Sequence, residues 1–556
     1  MRSREVYNEW LNDDYFDEEF HTELKSLTDE NEIDDRFYKY LEFGTAGMRG
    51  IIGAGTNRMN KYIIRRATQG FANYIKNEFG GGNLSIAIGY DPRNKSELFT
   101  KEAALVMAAN GIKAYIFDTL KATPQLSYAV RELKCNGGIM ITASHNPAQY
   151  NGYKVYDETG CQLVPDKGDR LINEVNKIND FLKVKYISED EALKMNKFEY
   201  IKKELIDKYI RDVKELSIHK KVIESTDLKV VFSPLHGCGA VPVKRVLTEK
   251  GLRNLILVDE QMVPDGNFTT IKNPNPESKE AFEYALKYAR KYDGELLICT
   301  DPDSDRVGIM VKKDDDYITL NGNQIGMLLL EYILNSYDTV PKNGYIVNSI
   351  VSSGIIEKIA KQYGVKHKIV LTGFKFIGEE IENSNGKFLF GFEESYGYLR
   401  GTFVRDKDAI IASMLLVEMT AFYKERNINL VDRLDSIYKK FGYFSEEMVS
   451  MTLEGKTGAE KIERMLLSLR EGLVEELNGE KIFKTIDCLK PEETGLPSSN
   501  VLKYYFGDGS WFAIRPSGTE PKIKFYFSIK GDTKEKSQEK LRKIKEEFLL
   551  KIENIK

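Results

Sequence analysis

The stretch LSIAIGYDPRNKSELFTKEAALVMAANGIKAYIFD, Leu84 to Asp118, contains one full structural period. An apolar strand leads into a small-residue loop, an amphipathic helix follows, and Gly111 closes the helix before a second apolar strand. The same order recurs in LKVVFSPLHGCGAVPVKRVLTEKGLRNLILVD, from Leu228 with a closing Gly251, and in YIVNSIVSSGIIEKIAKQYGVKHKIVLTG, from Tyr345 with a closing Gly364. Apolar runs such as VVF and YIV, alternating with helices, are what a sheet buried on both faces requires. The chain is therefore expected to be α/β, with three similar domains in tandem and largely parallel strand pairing.

From about Phe441 the texture changes. A charged helical stretch (459–477), short strands around 501–506 and 512–514, the run FYFSIK and a Lys/Glu-rich final helix predict a smaller α+β domain. The first 40 residues, acidic and aromatic, predict a helical extension. The expected domains are 1–205, 206–313, 314–440 and 441–556, consistent with 556 residues being too many for one core.

Composition excludes several classes. A net charge of −4, with 81 Lys and Arg interspersed among 85 Asp and Glu, leaves no basic stripe for nucleic acid. The five cysteines are scattered without a C-x-x-C pair, which disfavours both a disulfide framework and a zinc site and fits a cytoplasmic protein. No H-E-x-x-H spacing occurs among the five histidines, so any metal must take oxygen ligands. The N-terminus lacks a signal-type apolar stretch, and the longest apolar run, 409–422, is interrupted by Glu418; no membrane association is expected.

Chemistry concentrates in a few loops. IMITASHNP places Ser144 at the end of an apolar strand, where a side chain can face a cleft, although such a serine is ordinarily a turn residue. His145 follows it, but adjacent residues on an extended segment point apart and no G-x-S-x-G elbow surrounds them, which disfavours acyl transfer. In TDPDSDRVG, Asp301, Asp303 and Asp305 alternate after the strand LLIC and are expected to converge on one side, a set of hard oxygen ligands suited to Mg²⁺. Asp314, Asp315 and Asp316, with no strand delivering them to a cleft, read instead as a solvated turn. Arg306 is shaped to hold a phosphoryl oxygen. IRPSGTEPKIK offers Arg515, Ser517, Gly518 and Thr519 as a phosphate cradle or, equally, a capped surface turn. GFEESYGY offers Glu393 and Ser395 for sugar hydroxyls, or an exposed acidic turn; FGTAGMRG offers Arg49, and NGYKVY returns Lys154 towards Ser144.

TASHNP, DPDSDR, GFEESYG and RPSGTEPK occur in the order and approximate spacing of the α-D-phosphohexomutase family, which the chain resembles over nearly its whole length. FGTAGMRG and the extended N-terminus resemble the branch of bacterial phosphoglucomutases and animal phosphopentomutases. The resemblance implies four domains around a central cleft, with Ser144 phosphorylated and Ser144, Asp301, Asp303 and Asp305 binding Mg²⁺. It further implies Glu393 and Ser395 on sugar hydroxyls, Arg515, Ser517, Gly518 and Thr519 on the non-reacting phosphate, and Arg49, Lys154 and Arg306 at the reacting end. Phospho-Ser144 would donate to a sugar monophosphate and recover a phosphoryl group from the bound bisphosphate after it turns over, glucose 1,6-bisphosphate in the leading reading. Lys154 is the expected general base, its pKa lowered by neighbouring cations. Many family members have glycine directly before the first glutamate, where this chain has Phe392. A mannose or pentose phosphate, a bisphosphate synthase or phosphatase, and a non-enzymatic sugar-phosphate sensor are the competing readings. The expected partners are small sugar phosphates, and the protein is expected as a monomer or dimer.

Overall fold

The computed structural model describes residues 3–44, 47–453, 455–516 and 522–555. Each sequence period folds as a parallel strand–helix–strand unit. In the first, Ser85–Tyr90, the helix Ser96–Ala109 and Lys113–Ile116 follow in order, with Ile86 opposite Ala114. Val230–Ser233, the helix Ala240–Glu249 and Leu255–Leu257 form the second, and Gly344–Ser349, the helix Ile355–Gln362 and Lys366–Val370 the third. The closing glycines Gly111, Gly251 and Gly364 have φ of +78°, +87° and +64°. A side chain would strain that left-handed turn, which is why each period ends on glycine.

The sheets are mixed rather than largely parallel. In the first, Gly137–Ile141 pairs in parallel with Ser85–Tyr90, but Tyr150–Asp157 runs antiparallel to Gly137–Ile141 and Gly47–Ile51 antiparallel to Tyr150–Asp157. In the second, Val307–Lys313 runs antiparallel to both Leu296–Thr300 and Asp316–Leu320. Short connections impose the returns of Tyr150–Asp157, Val307–Lys313 and Asp316–Leu320, because a tight loop can return a strand only beside and opposite to its predecessor; Gly47–Ile51 adds to the edge from far away in the chain. The antiparallel returns bring Lys154 and Arg49 back towards the end of the strand that delivers Ser144.

The chain divides into two compact units, residues 1–322, 374–384 and 395–426, and residues 323–373, 385–394 and 427–556. In the first unit, helices Ser3–Asn12, Glu18–Lys25 and Glu30–Phe37 gather Trp10, Phe16 and Phe37 with Tyr62 into an aromatic core. The second unit carries the parallel strands around Gly344–Ser349 and the C-terminal α+β fold. There a sheet runs in the order Tyr443–Thr452, Lys522–Gly531, Trp511–Pro516, Leu502–Phe506, Glu480–Asp487, Glu476–Leu477, packed against the helix Lys534–Glu553. The ten-residue strand Tyr443–Thr452 has no counterpart in the sequence reading, because Ser445, Glu446 and Glu447 interrupt its apolar pattern. The expected helix 459–477 runs instead from Gly455 to Arg470. No helix among the described residues is long and apolar enough to cross a membrane. In the helix Ala409–Lys424, Glu418 is buried and accepts from Ile218 N at 2.8 Å and His219 N at 3.0 Å.

Candidate functional site

Ser144 lies one turn beyond the buried strand Gly137–Ile141 and is itself buried, with φ +54°. A left-handed L-residue costs about 1–2 kcal/mol, so surrounding contacts must hold it there. Its amide donates to Thr142 Oγ1 at 2.8 Å, and its Oγ donates to Asp301 Oδ2 at 2.9 Å. The segment is therefore not extended, and His145 does not point away as expected. The left-handed kink brings His145 Nδ1 to 3.3 Å from Ser144 Oγ. Gly152 makes the return strand possible: a Cβ there would lie 2.4 Å from Thr142 O.

The three aspartates also converge, by a route different from the extended alternation expected. Ser304 takes φ +53°, and the chain folds round Asp301, whose Oδ1 accepts from Asp305 N at 3.0 Å and Arg306 N at 2.9 Å. One oxygen from each of Asp301, Asp303 and Asp305 then lies within 4.8 Å of the others, all buried. Beneath them the second period's loop packs closely: Cys238 N donates to Pro302 O at 2.8 Å, and a Cβ on Gly239 would sit 2.6 Å from Thr300 Oγ1.

Such a cluster needs cations. Lys154 Nζ stands 2.6 Å from Asp303 Oδ2 and 3.2 Å from Asp305 Oδ2; Lys407 Nζ is 3.3 Å from Asp305 Oδ2. Burial raises the Asp301 carboxyl well above its ordinary range, and its two acidic neighbours add to this. Burial acts the same way on Asp303 and Asp305, but Lys154, joined at Asp305 by Lys407 and Arg306, overcomes it and holds both below the ordinary value. For Lys154, burial favours the neutral amine, and Asp303 and Asp305 outweigh it, so its pKa is raised. The expected depression is thus reversed: in this arrangement Lys154 is a held cation, not a free base.

Among the described residues, the buried Asp303 Oδ1 and Asp305 Oδ1 have no hydrogen-bond partner. A buried carboxylate oxygen left so is costly, and an all-oxygen set of three carboxylates with Ser144 Oγ alongside fits a hard divalent cation such as Mg²⁺.

The other expected residues divide between the units. Arg49, on Gly47–Ile51, donates from Nη1 to Asn146 Oδ1 at 3.1 Å, beside the serine loop. Arg306 pairs through Nη1 with Glu277, and its Nε is 3.9 Å from Asp305 Oδ1. Ser395 falls in the first unit. Glu393 and Arg515 fall in the second, where Glu393 Oε1 accepts from Gly373 N at 2.6 Å and both residues influence the buried Tyr526 hydroxyl. Phe392 is buried against Gly326, whose missing side chain makes room for the ring. Ser517, Gly518 and Thr519 lie outside the described residues.

Two contributors escaped sequence reading. Lys407 comes from FVRDKDA, where neither spacing nor neighbouring glycine marks it. Thr123 opens the helix Thr123–Glu132 and donates from Oγ1 to Asp303 Oδ2 at 2.8 Å. Only the fold brings either one to the aspartates.

A buried serine on a three-carboxylate cluster ringed by lysines, in tandem α/β units, is an arrangement for phosphoryl transfer rather than acyl transfer. The chain belongs to the phosphoglucomutase/phosphomannomutase family: α/β/α domain I matches residues 40–181, domain II 207–314, domain III 321–441 and the C-terminal domain 470–550. A phosphoglucomutase of Staphylococcus saprophyticus is 38% identical over 517 residues, covering 90% of this chain and 92% of that one. One from Staphylococcus epidermidis is 38% identical over 541 residues, covering 94% and 97%. In fold the chain is similar to the open form of Paramecium pp63/parafusin, a phosphoglucomutase, with a TM-score of 0.71, 20% identity and coverage of 92% and 94%. A phosphoglucomutase/phosphomannomutase family protein of Burkholderia thailandensis gives 0.69 at 16% identity, covering 92% and 98%.

Proposed function

We propose that this chain is a phosphoglucomutase that interconverts glucose 1-phosphate and glucose 6-phosphate through phosphorylated Ser144 and a bound glucose 1,6-bisphosphate. The observation that carries the reading is Ser144 Oγ, 2.9 Å from a buried three-aspartate cluster and held there by a strained backbone. The names of the Staphylococcus relatives support glucose as the sugar.

Asp301, Asp303 and Asp305, with Ser144 or its phosphate, would hold Mg²⁺. When bound, the ion neutralises charge on the transferring phosphoryl oxygens. Ser144 Oγ carries the phosphoryl group between its two transfers, fixed in line by the loop around it. Lys154 and Lys407 are cations fixed in advance on the Asp303 and Asp305 carboxylates beside Ser144, so little reorganisation accompanies charge development there. Arg49 and Arg306 border the reacting end, Glu393 and Ser395 hold sugar hydroxyls, and Arg515 with Ser517, Gly518 and Thr519 holds the phosphate that is not reacting.

Intact mass and peptide mapping of purified protein should find phosphate on Ser144, and Ser144→Ala should lose nearly all mutase turnover with bisphosphate supplied. Phosphate elsewhere, or an alanine variant as fast as wild type, overturns the mechanism. A panel of hexose and pentose 1-phosphates tests the substrate: a pentose or mannose phosphate turned over faster than glucose 1-phosphate overturns that part alone.

A further inference from the structure

Arg93 lies in the first period, in the loop GYDPRNKS between strand and helix, and its side chain has no solvent exposure. Every one of its guanidinium donors is engaged. Nε donates to Asp91 Oδ2 at 3.1 Å; Nη1 donates to Pro147 O at 2.9 Å and Tyr150 O at 3.0 Å; Nη2 donates to Ser144 O at 2.6 Å and Asn146 O at 2.5 Å. Four of the five acceptors are backbone carbonyls of the segment that starts at Ser144. Arginine's planar fork is the only side chain that can present five donors in fixed directions.

The other end of the fork is fixed as firmly. Asp91 Oδ1 accepts from Arg93 N at 3.0 Å and Ser96 Oγ at 3.1 Å, and Asp91 Oδ2 accepts from Thr142 Oγ1 at 2.6 Å. Thr142 Oγ1 in turn accepts from Ser144 N. Ser144 is thus gripped at its amide through Thr142 and at its carbonyl through Arg93, and both grips meet at Asp91. Fixing the two peptide planes that flank a residue fixes its φ and ψ. This accounts for a left-handed serine whose Oγ meets Asp301.

We propose that Arg93 is a positioning residue for phosphoryl transfer, a guanidinium template that, with Asp91 and Thr142, imposes the left-handed backbone of Ser144 and so aims its Oγ. The inference rests on the reading of Ser144 as the phosphoryl carrier. Arg93 touches neither the sugar nor the transferring group, so its loss misplaces the serine without removing a substrate contact. A misplacement of about 1 Å lowers turnover by about 100-fold. Lysine, a single point donor on a flexible stem, cannot replace the fork.

The test is steady-state kinetics on Arg93→Lys and Arg93→Ala with glucose 1-phosphate and catalytic glucose 1,6-bisphosphate, beside mass analysis of Ser144 phosphorylation and thermal unfolding. For Arg93→Lys, kcat should fall about 100-fold with KM nearly unchanged. Low-millimolar guanidinium should recover part of the kcat of Arg93→Ala and none of that of Arg93→Lys, whose side chain fills the site. If the Arg93 variants do not fold, Thr142→Val removes both the acceptor of Ser144 N and the donor to Asp91 Oδ2 with little change in shape: kcat should fall about 10- to 100-fold, two lost hydrogen bonds, and Thr142→Ser should recover most of that loss. An Arg93→Lys or Thr142→Val protein with wild-type kcat, or one in which only KM rises, overturns the proposal. If Ser144 carries phosphate in wild type while those variants are fully active, only the template fails; if Ser144→Ala keeps turnover, the carrier reading fails instead.

Discussion

Two groups of three aspartates lie within sixteen residues of one another, and the structure treats them in opposite ways. Asp301, Asp303 and Asp305 follow the fully buried strand Leu296–Thr300 and are themselves buried. Asp314, Asp315 and Asp316 sit at the turn between Val307–Lys313 and Asp316–Leu320, and all three are exposed. Residue type and number are identical. The difference is delivery: a buried strand ending in a turn folded round Asp301 removes the first group from water and forces Lys154 and Lys407 beside it, whereas the second is solvated and needs no counter-ion.

The most severe way to break this comparison is activity. Asp303→Ala should lower kcat by about 1,000-fold, or ~4 kcal/mol of transition-state stabilisation. Asp315→Ala should change it less than about twofold, within the usual range of surface substitutions. Comparable losses at the two positions would dissolve the distinction. Metal removal probes the same contrast without turnover. Mg²⁺ at about 100 times its dissociation constant should stabilise the wild-type protein by about 2.7 kcal/mol, read as a rise in thermal midpoint that chelator abolishes. The rise should survive in Asp315→Ala and vanish in Asp303→Ala.

A further contrast comes from the cations. Lys503 is as buried as Lys154 but, among the described residues, forms no ion pair with a carboxylate: Nζ donates to Ile350 O at 2.5 Å and lies 3.8 Å over the Trp511 ring. Burial pushes it down to about 7, opposed only by Cys488 and Glu357. With its folded pKa below the unfolded value, the folded state binds fewer protons from about pH 7 up to the unfolded pKa, so this residue makes stability rise with pH across that window. Lys503→Met should therefore stabilise the protein by about 1–2 kcal/mol at pH 6, an advantage that shrinks by pH 9. Urea titrations at both pH values decide it. A larger gain at pH 9 would reverse the assignment.

The periodic strands and helices were legible because apolar patterning and closing glycines are local signals, and Ser144 and the aspartates because each ends an apolar run. The geometry was less legible. The aspartates were expected to converge by alternation and do so by a turn, because Ser304 adopts a conformation that side-chain periodicity does not encode. Lys407, Thr123 and Arg93 reach the site only through tertiary folding: each is an ordinary loop or helix-start residue until a strand from elsewhere arrives beside it. For Lys154 the sequence suggests a lowered pKa, whereas Asp303 and Asp305 outweigh burial and raise it, since the sign of the shift depends on carboxylates far away in the chain.

The smallest effect belongs to the exposed group and tests whether it is only a turn. Lys313 pairs with Asp316, leaving Asp314 and Asp315 as a two-residue hairpin loop in which Asp314 has φ +54° and Asp315 does not share that positive φ. Hairpin loops with a positive φ at the first position favour glycine there, because a Cβ is strained in that region. Asp314→Gly relieves about 1–2 kcal/mol of left-handed strain and loses about 0.4–1 kcal/mol to the greater freedom of glycine in the unfolded chain. The net should be a gain of about 0.5–1 kcal/mol, seen as a small rise in the thermal midpoint, with kcat and the Mg²⁺-dependent stabilisation unchanged. A glycine that instead lowered kcat or removed the metal effect would mean that the exposed aspartates contribute to the site after all, and that burial is not what separates the two groups.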